Sequence, residues 1–150
     1  MGNYADYLNN LRTADQVNTE RQKILKKISE LRDKRDILVI ASDLSKSKAP
    51  ISIDYTDILP VQDQLSNLHG KSIDIILETP GGFAEVVEDI VHLVRKKYES
   101  VGMIIPGWAK SAGTIFAMAG DEILMGSNSA LGPVDAQISV VERTFQLTPS

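Results

Sequence analysis

The feature that most constrains this chain is an alternation. From residue 37 onward, short runs of branched apolar residues take turns with stretches of helical periodicity, and the links between them are short. Ile37-Leu38-Val39-Ile40, Ile73 to Leu77, Val101 to Ile105 and Glu122 to Met125 read as strands. Continuous apolar runs of this kind suit parallel strands covered on their faces. Residues 56–68, 83–98 and 111–119 read as helices. Pro60 fits only a first turn, and Gly70 and Gly120 stand where helices end. Phe83, Val86, Val87, Ile90, Val91 and Val94 form one stripe, and Lys96 and Lys97 complement the dipole at its end. Such alternation predicts an α/β fold with a parallel sheet and right-handed crossovers. Sites in such sheets form beyond the carboxyl ends of strands. The segments Thr79–Phe83 and Pro106–Ser111 both follow strands, so they are expected on one edge.

Upstream of the alternation, residues 4–34 read as a helical arm. Tyr4, Leu8, Leu11 and then Ile24, Ile28, Leu31 recur at three- and four-residue steps, with Asp15 or Thr19 as cap or break points. Few large apolar residues occur per turn, which predicts a peripheral element lying on a core or on another subunit. The expected organisation is an arm over 1–35 and an α/β domain over 36–150. Residues 42–50 and 126–136 read as loops, with a short further strand over 137–141.

Composition then narrows the function. At 150 residues one compact unit is expected. No cysteine is present, which excludes a disulfide scaffold, a thiolate metal site and a cysteine nucleophile. With only His69 and His92, a His-rich metal site is excluded too. Neither a metal nor a cofactor is expected. The net charge of −4 argues against a general nucleic-acid binder. The charge is uneven: residues 1–50 hold 10 Lys+Arg against 7 Asp+Glu, the rest 6 against 13. The basic excess lies in Arg21 to Arg35, between apolar positions, and reads as the solvated face of an amphipathic helix, the alternative being a weak membrane-surface or partner contact. No leader, lipidation signal or membrane span is visible, so a cytoplasmic location is expected.

Two motifs can carry chemistry. Ser111 lies in Trp108-Ala109-Lys110-Ser111-Ala112-Gly113-Thr114, with small residues two positions to either side. A strand-to-helix turn with small flanks projects a hydroxyl outward beside the next backbone N–H, the logic of a nucleophile elbow. The alternative is a serine that caps the following helix. Gly81-Gly82, between a strand and a helix, can expose consecutive N–H groups to an oxyanion or a phosphate; the alternative is a tight structural turn. No third glycine follows at dinucleotide-binding spacing. Together the two motifs would place a nucleophile and an oxyanion hole in one crevice.

From Ile73 to Gln137 the chain resembles the ClpP/crotonase fold on its peptidase side. The resemblance rests on four segments: Leu77-Glu78-Thr79-Pro80-Gly81-Gly82, Lys110-Ser111-Ala112-Gly113-Thr114, Ala119 to Met125, and Ser129-Ala130-Leu131-Gly132-Pro133-Val134-Asp135-Ala136-Gln137. Within that fold it is most similar to the serine dehydrogenase proteinase family, relatives of signal peptide peptidase A. The resemblance implies a ClpP/crotonase-like parallel sheet with crossover helices. It implies Ser111 as nucleophile and the backbone N–H groups of Gly82 and Ala112 as oxyanion hole. It implies substrate held along Gly81–Phe83 by backbone pairing, and Asp135 in the acid-bearing loop. An Asp135 that only caps a turn is the alternative.

The general base is the missing part. A serine needs a positioned base, and after Ser111 the chain has neither His nor Lys, only Arg143. Four accounts stay open. The base lies beyond Ser150 in a longer protein; it is His92, Lys110 or His69; a neighbouring subunit supplies it; or the protein is a pseudoenzyme. The expected function is a serine peptidase acting on peptide or protein substrates and assembling as a homo-oligomer. The alternatives are an inactive assembly or peptide-binding protein, and, more distantly, acyl-CoA chemistry on the crotonase scaffold.

Overall fold

The computed structural model describes residues 13–43 and 51–134. Helix α1, Ala14–Leu31, opens with a capping box: Thr13 Oγ1 accepts from the Gln16 N–H, and Gln16 reaches back to the Thr13 N–H. The start signal is therefore Thr13, not Asp15 or Thr19, because the reciprocal Thr-x-x-Gln pair satisfies two end donors at once. The helix stops at Leu31, short of the expected residue 34, where Asp33 and Lys34 both take positive φ (54° and 60°). None of its residues is buried.

Strands β1 (Asp36–Ala41), β2 (Ser72–Glu78), β3 (Ser100–Ile105) and β5 (Glu122–Met125) form one parallel sheet in the order β1-β2-β3-β5. Each crossover steps one strand in the same direction, so right-handed connections put the crossover helices on one face. These are α2 (Ile58–Ser66), α3 (Ala84–Lys97) and α4 (Ala112–Met118), with α3 packed between the other two. A 3-10 turn at Tyr55–Asp57, capped by Asp54, leads into α2 and puts Pro60 in its first turn.

Period two decides which residues meet the helices. Ile73, Ile75 and Leu77 of β2, and Val101, Met103 and Ile105 of β3, are at most 1% exposed and pack with Val86, Val87, Ile90 and Val94 of α3 and Phe116 of α4. Phe83 does not join that stripe: it is the N-cap of α3 and is 52% exposed. On the other face, the row Val39–Ile76–Ile104–Leu124 runs in register across all four strands and stays partly exposed.

That second face is closed at its amino end by charge. Asp74 is fully buried inside the otherwise apolar run Ile73 to Leu77. Arg32 Nε donates to Asp74 Oδ2 at 2.7 Å, and Arg32 also bridges to Glu122. Arg35 Nε lies 2.6 Å from Asp74 Oδ1 as an ion pair without hydrogen-bond alignment. Arg35 further donates to Ser100 Oγ and to the Ile73 carbonyl. A Cβ on Gly102 would come within 2.3 Å of Asp74 Oδ1, so the cluster fits only because residue 102 has no side chain. The carboxylates of Asp74 and then Glu122 hold the Arg32 guanidinium well above its ordinary pKa.

Two short strands, β4 (Trp108–Ala109) and β6 (Ala130–Leu131), pair in parallel at the carboxyl edge, inside what reads from sequence as loop. The expected segments 4–12, 44–50 and 137–141 lie outside the described residues, as does Asp135. Among the described residues no helix is long and apolar enough to cross a membrane.

Candidate active site

The carboxyl edge carries a second, smaller parallel ladder. Ile53 bridges Gly82, Thr79 bridges Ala109, and Ala109 pairs Leu131. The ladder repeats the chain order of the main sheet and gathers both sequence motifs. The Thr79 N–H donates to the Trp108 carbonyl at 3.2 Å, and the Lys110 N–H to the Thr79 carbonyl at 3.1 Å. The Gly132 N–H donates to the Ala109 carbonyl at 2.8 Å, and the Ser111 N–H to the Pro133 carbonyl at 3.2 Å. Ser111 is thus pinned on one side by the loop that continues toward Asp135.

Ser111 has φ 51° and ψ −124°, a conformation costly for a residue with a Cβ. It makes no side-chain cap bond to α4, so the capping alternative is not realised. What holds the strained turn is a pair of threonines. Thr114 Oγ1 lies 3.0 Å from the Ala109 carbonyl and 2.9 Å from the Gly132 carbonyl, tying the first turn of α4 to both short strands. Thr79 is fully buried, and its Oγ1 accepts from the Gly81 N–H at 3.1 Å. A Cβ on Gly113 would reach within 2.4 Å of Thr79 Cγ2, so the second small residue of the motif lets the two loops touch.

Gly81 (φ 114°) and Gly82 (φ 153°) both need the freedom of glycine. A Cβ on Gly81 would lie 2.8 Å from Ser111 Cβ and 3.4 Å from the Ala112 nitrogen. The two loops are therefore in contact at the residues expected to act together. Ile53 takes one side of the Gly-Gly segment: its N–H donates to the Gly81 carbonyl at 2.8 Å, and its carbonyl accepts from Phe83 at 3.0 Å. The Gly81 carbonyl and Phe83 N–H, expected to pair with substrate, are thus engaged within the chain, and Gly82 turns its own N–H and C=O to the other side. Among the described residues, the N–H groups of Gly82 and Ala112 make no hydrogen bond, although Ala112 is buried.

No described residue hydrogen-bonds Ser111 Oγ. Lys110 Nζ sits 4.1 Å over the Trp108 ring, a cation–π contact that directs it elsewhere. His69 precedes β2 at the amino edge, and His92 lines a shallow groove with Ile58, Gln62 and Lys96 between α2 and α3. Beside the Gly-Gly segment, Phe83 stacks on Tyr55 with centroids 5.6 Å apart. The Tyr55 hydroxyl bonds Glu85, which raises its pKa above the ordinary phenol value. A larger groove of about 440 Å³ runs along edge strand β1 and Ile53, not over Ser111. Among the described residues no cluster of His, Asp or Glu is placed to hold a metal.

Sequence reasoning missed Ile53, Thr79 and Thr114. Thr79 stands directly before Pro80-Gly81-Gly82, a local signal; Ile53 offers none, because its role depends on a pairing 29 positions away.

The family described as ClpP-like SDH-type serine proteinase matches residues 8–144. Uncharacterized protein MJ0137 of Methanocaldococcus jannaschii is 31% identical over 130 residues, covering 82% of this chain and 45% of its own length. Uncharacterized protein MJ1495 of the same organism is 44% identical over 66 residues, covering 44% of this chain and 23% of its own length. The chain therefore spans less than half of either relative. Among solved structures, the ClpP1 N165D mutant from Listeria monocytogenes superposes with a TM-score of 0.47 at 20% identity, over 62% of this chain and 51% of that one.

Proposed function

Because this chain belongs to the ClpP-like SDH-type serine proteinase family, we propose that it carries the nucleophile half of a serine peptidase site, with Ser111 attacking a peptide carbonyl. The observation that carries the reading is the strained Ser111 turn packed against a glycine pair, with the Gly82 and Ala112 N–H groups beside it unpartnered among the described residues. Buried N–H groups are normally paired, so the buried Ala112 donor left open next to a hydroxyl, with the exposed Gly82 N–H beside it, suits an oxyanion that forms only during reaction. Substrate backbone would pair with Gly82, the residue of the segment whose polar groups Ile53 leaves open. Asp135 would orient a base or hold substrate, since its loop leaves Ser111 through Pro133.

The base is proposed to come from outside the described residues: from chain beyond Ser150 or from a neighbouring subunit. Lys110 and His92 are both engaged or placed elsewhere. The protein is proposed to work as a cytoplasmic homo-oligomer without metal or cofactor.

A fluorophosphonate probe tests the nucleophile. Labelling that disappears in Ser111→Ala supports an activated serine. Absence of labelling in the wild-type chain, with peptide binding retained, favours the second reading: an inactive peptide-binding member of the family. That reading draws on the absence of a hydrogen-bonded base at Ser111 among the described residues.

A further inference from the structure

On the reading that Gly82 pairs with substrate backbone, we propose that the Tyr55–Phe83 ring pair and the Glu85 carboxylate form a side-chain subsite beside it. The subsite selects peptides that carry Lys or Arg next to the residue paired with Gly82.

The rings stand at that edge. Phe83 directly follows Gly82, so their Cα atoms are about 3.8 Å apart. Ile53 holds one side of the segment through the Gly81 carbonyl and the Phe83 N–H. A strand paired with Gly82 would lie about 4.8 Å away on the other side. Tyr55, two residues past Ile53, brings its ring to 5.6 Å from the Phe83 ring, tilted by 37°. Both rings stay open to solvent, Phe83 at 52% and Tyr55 at 56%. The buried stripe of α3 starts only at Val86, so the fold leaves the face of Phe83 unused.

The surroundings select one charge. An aromatic face attracts a cation, and a carboxylate at its rim does the same. The Tyr55 hydroxyl donates to Glu85 Oε1, which ties that carboxylate to the ring. Its other oxygen makes no hydrogen bond among the described residues. The Glu85 hydrogen bond, then burial, then the charges of Glu85 and Asp89 hold the Tyr55 phenol above its ordinary pKa. A second carboxylate therefore acts on the same ring. Residues 51–70 and 72–94 contain no Lys or Arg. The cations of α3 are Arg95, Lys96 and Lys97 in its last turn. Lys110, the cation of the Ser111 loop, keeps its Nζ over the Trp108 ring. The long apolar stems of Lys and Arg can lie along Phe83 and carry their charge to Glu85. An acidic side chain would meet like charge there, and an uncharged one would forgo both attractions.

Two fluorescent alanine-based peptides test the charge, one with a central Lys and one with norleucine, its uncharged near-isostere. Binding is read by anisotropy on the whole chain carrying Ser111→Ala, so it depends on neither a base nor cleavage. The Lys peptide is expected to bind on the order of fivefold more tightly. That preference should fall toward unity in Glu85→Gln, which keeps an acceptor for Tyr55 and removes the charge, and in Tyr55→Ala, which removes a ring. Tyr55→Phe keeps the ring and should keep the preference. A purely structural role for these residues would weaken both peptides equally and leave the ratio unmoved. Fluorophosphonate labelling of the wild-type chain separates the two readings. Labelling with equal affinity for both peptides overturns the subsite and leaves the nucleophile in place. No labelling with the Lys preference present overturns the nucleophile and leaves the subsite. Equal affinities, no measurable binding of either peptide, or a preference that survives Glu85→Gln and Tyr55→Ala would each overturn the proposal.

Discussion

The two ends of the sheet solve opposite problems with polar groups. At the amino end, a fully buried carboxylate is surrounded by partners: Asp74 receives Arg32 and Arg35, and Glu122 takes the remainder of Arg32. At the carboxyl end, polar groups are left waiting: the Gly82 and Ala112 N–H groups have no described partner, and Ser111 holds a positive φ. Both arrangements are costly in isolation. The first is compensated inside the fold and so can only fix geometry, here the exit of the arm. In the second, the buried Ala112 N–H has no partner among the described residues and Ser111 keeps its strain, which is the arrangement expected of a site.

The strongest way to break this contrast is at Ser111. Ser111→Ala is expected to abolish fluorophosphonate labelling while leaving the thermal midpoint unchanged or slightly raised, because the hydroxyl has no described partner to lose. A large loss of stability would mean that the serine is structural.

At the other end the expectation inverts. Asp74→Ala leaves Arg35 without its carboxylate and Arg32 with Glu122 alone, both largely covered, and is expected to cost about 3–5 kcal/mol in denaturant unfolding without changing the probe chemistry per folded molecule. Replacing Asp74, Arg32 and Arg35 together by apolar residues should cost much less, since a cluster removed whole leaves no unpaired charge.

Gly81→Ala sharpens the comparison from the site side. Its Cβ would lie 2.7 Å from the Lys110 carbonyl and 2.8 Å from Ser111 Cβ, at a φ of 114°. Pushing the loops apart displaces the Gly82 donor from the serine, and losing one such donor costs roughly 2.7–4 kcal/mol of transition-state stabilisation. The labelling rate of the folded fraction should fall on the order of 100-fold or more.

How much of this contrast was readable in the sequence follows from the range of the interactions. Strands β2 and β3 and helix α3 are legible because burial between sheet and helices imposes its period on consecutive residues; β5 is exposed along its length and is legible as an apolar run after a helix end. Ser111 and Gly81-Gly82 are legible because a tight turn admits only small neighbours. Strands β4 and β6 are two residues each, too short to show any period, and they are set by pairing partners far along the chain. The end of α1 is set by two left-handed residues, Asp33 and Lys34, neither of them a glycine. Asp74 inside Ile-Asp-Ile-Ile-Leu is the visible trace of the amino-end cluster, but its partners lie outside that strand, on the turn after α1 and on β5.

Tyr98 offers a milder test of how the fold closes away from the site. It is 3% exposed, and its hydroxyl donates to Asp36 Oδ2 at 2.9 Å. Burial, and then the hydrogen bond to Asp36, push the phenol well above its usual value of about 10. The folded state thus favours the neutral ring. Its contribution is complete below the ordinary phenol range and is lost as pH rises from there toward the folded value. Tyr98→Phe is expected to cost about 1–2 kcal/mol at neutral pH and to flatten the decline in stability above about pH 10.

The smallest effect lies at the surface pair Arg95–Asp121. Arg95 donates to both carboxylate oxygens, at 3.0 and 2.8 Å, and Asp121 Oδ2 also accepts from the Val101 N–H at 2.8 Å, joining α3 to the start of β3. The Arg95 hydrogen bonds, followed by the backbone N–H, hold the Asp121 carboxyl below its ordinary value. With a depressed folded pKa, the ionised form is what the fold favours. The stabilisation is present above the ordinary carboxylate range of about 4 and disappears as pH falls through the lower folded value. Both side chains are a third to a half exposed, at 33% and 49%, so water screens the pair. Arg95→Met is therefore expected to cost less than about 1 kcal/mol at pH 7. The difference between wild type and variant should shrink toward zero in acid unfolding. An undiminished difference at low pH would mean that Arg95 acts through the packing of its stem and its bond to the Ala119 carbonyl, rather than through Asp121.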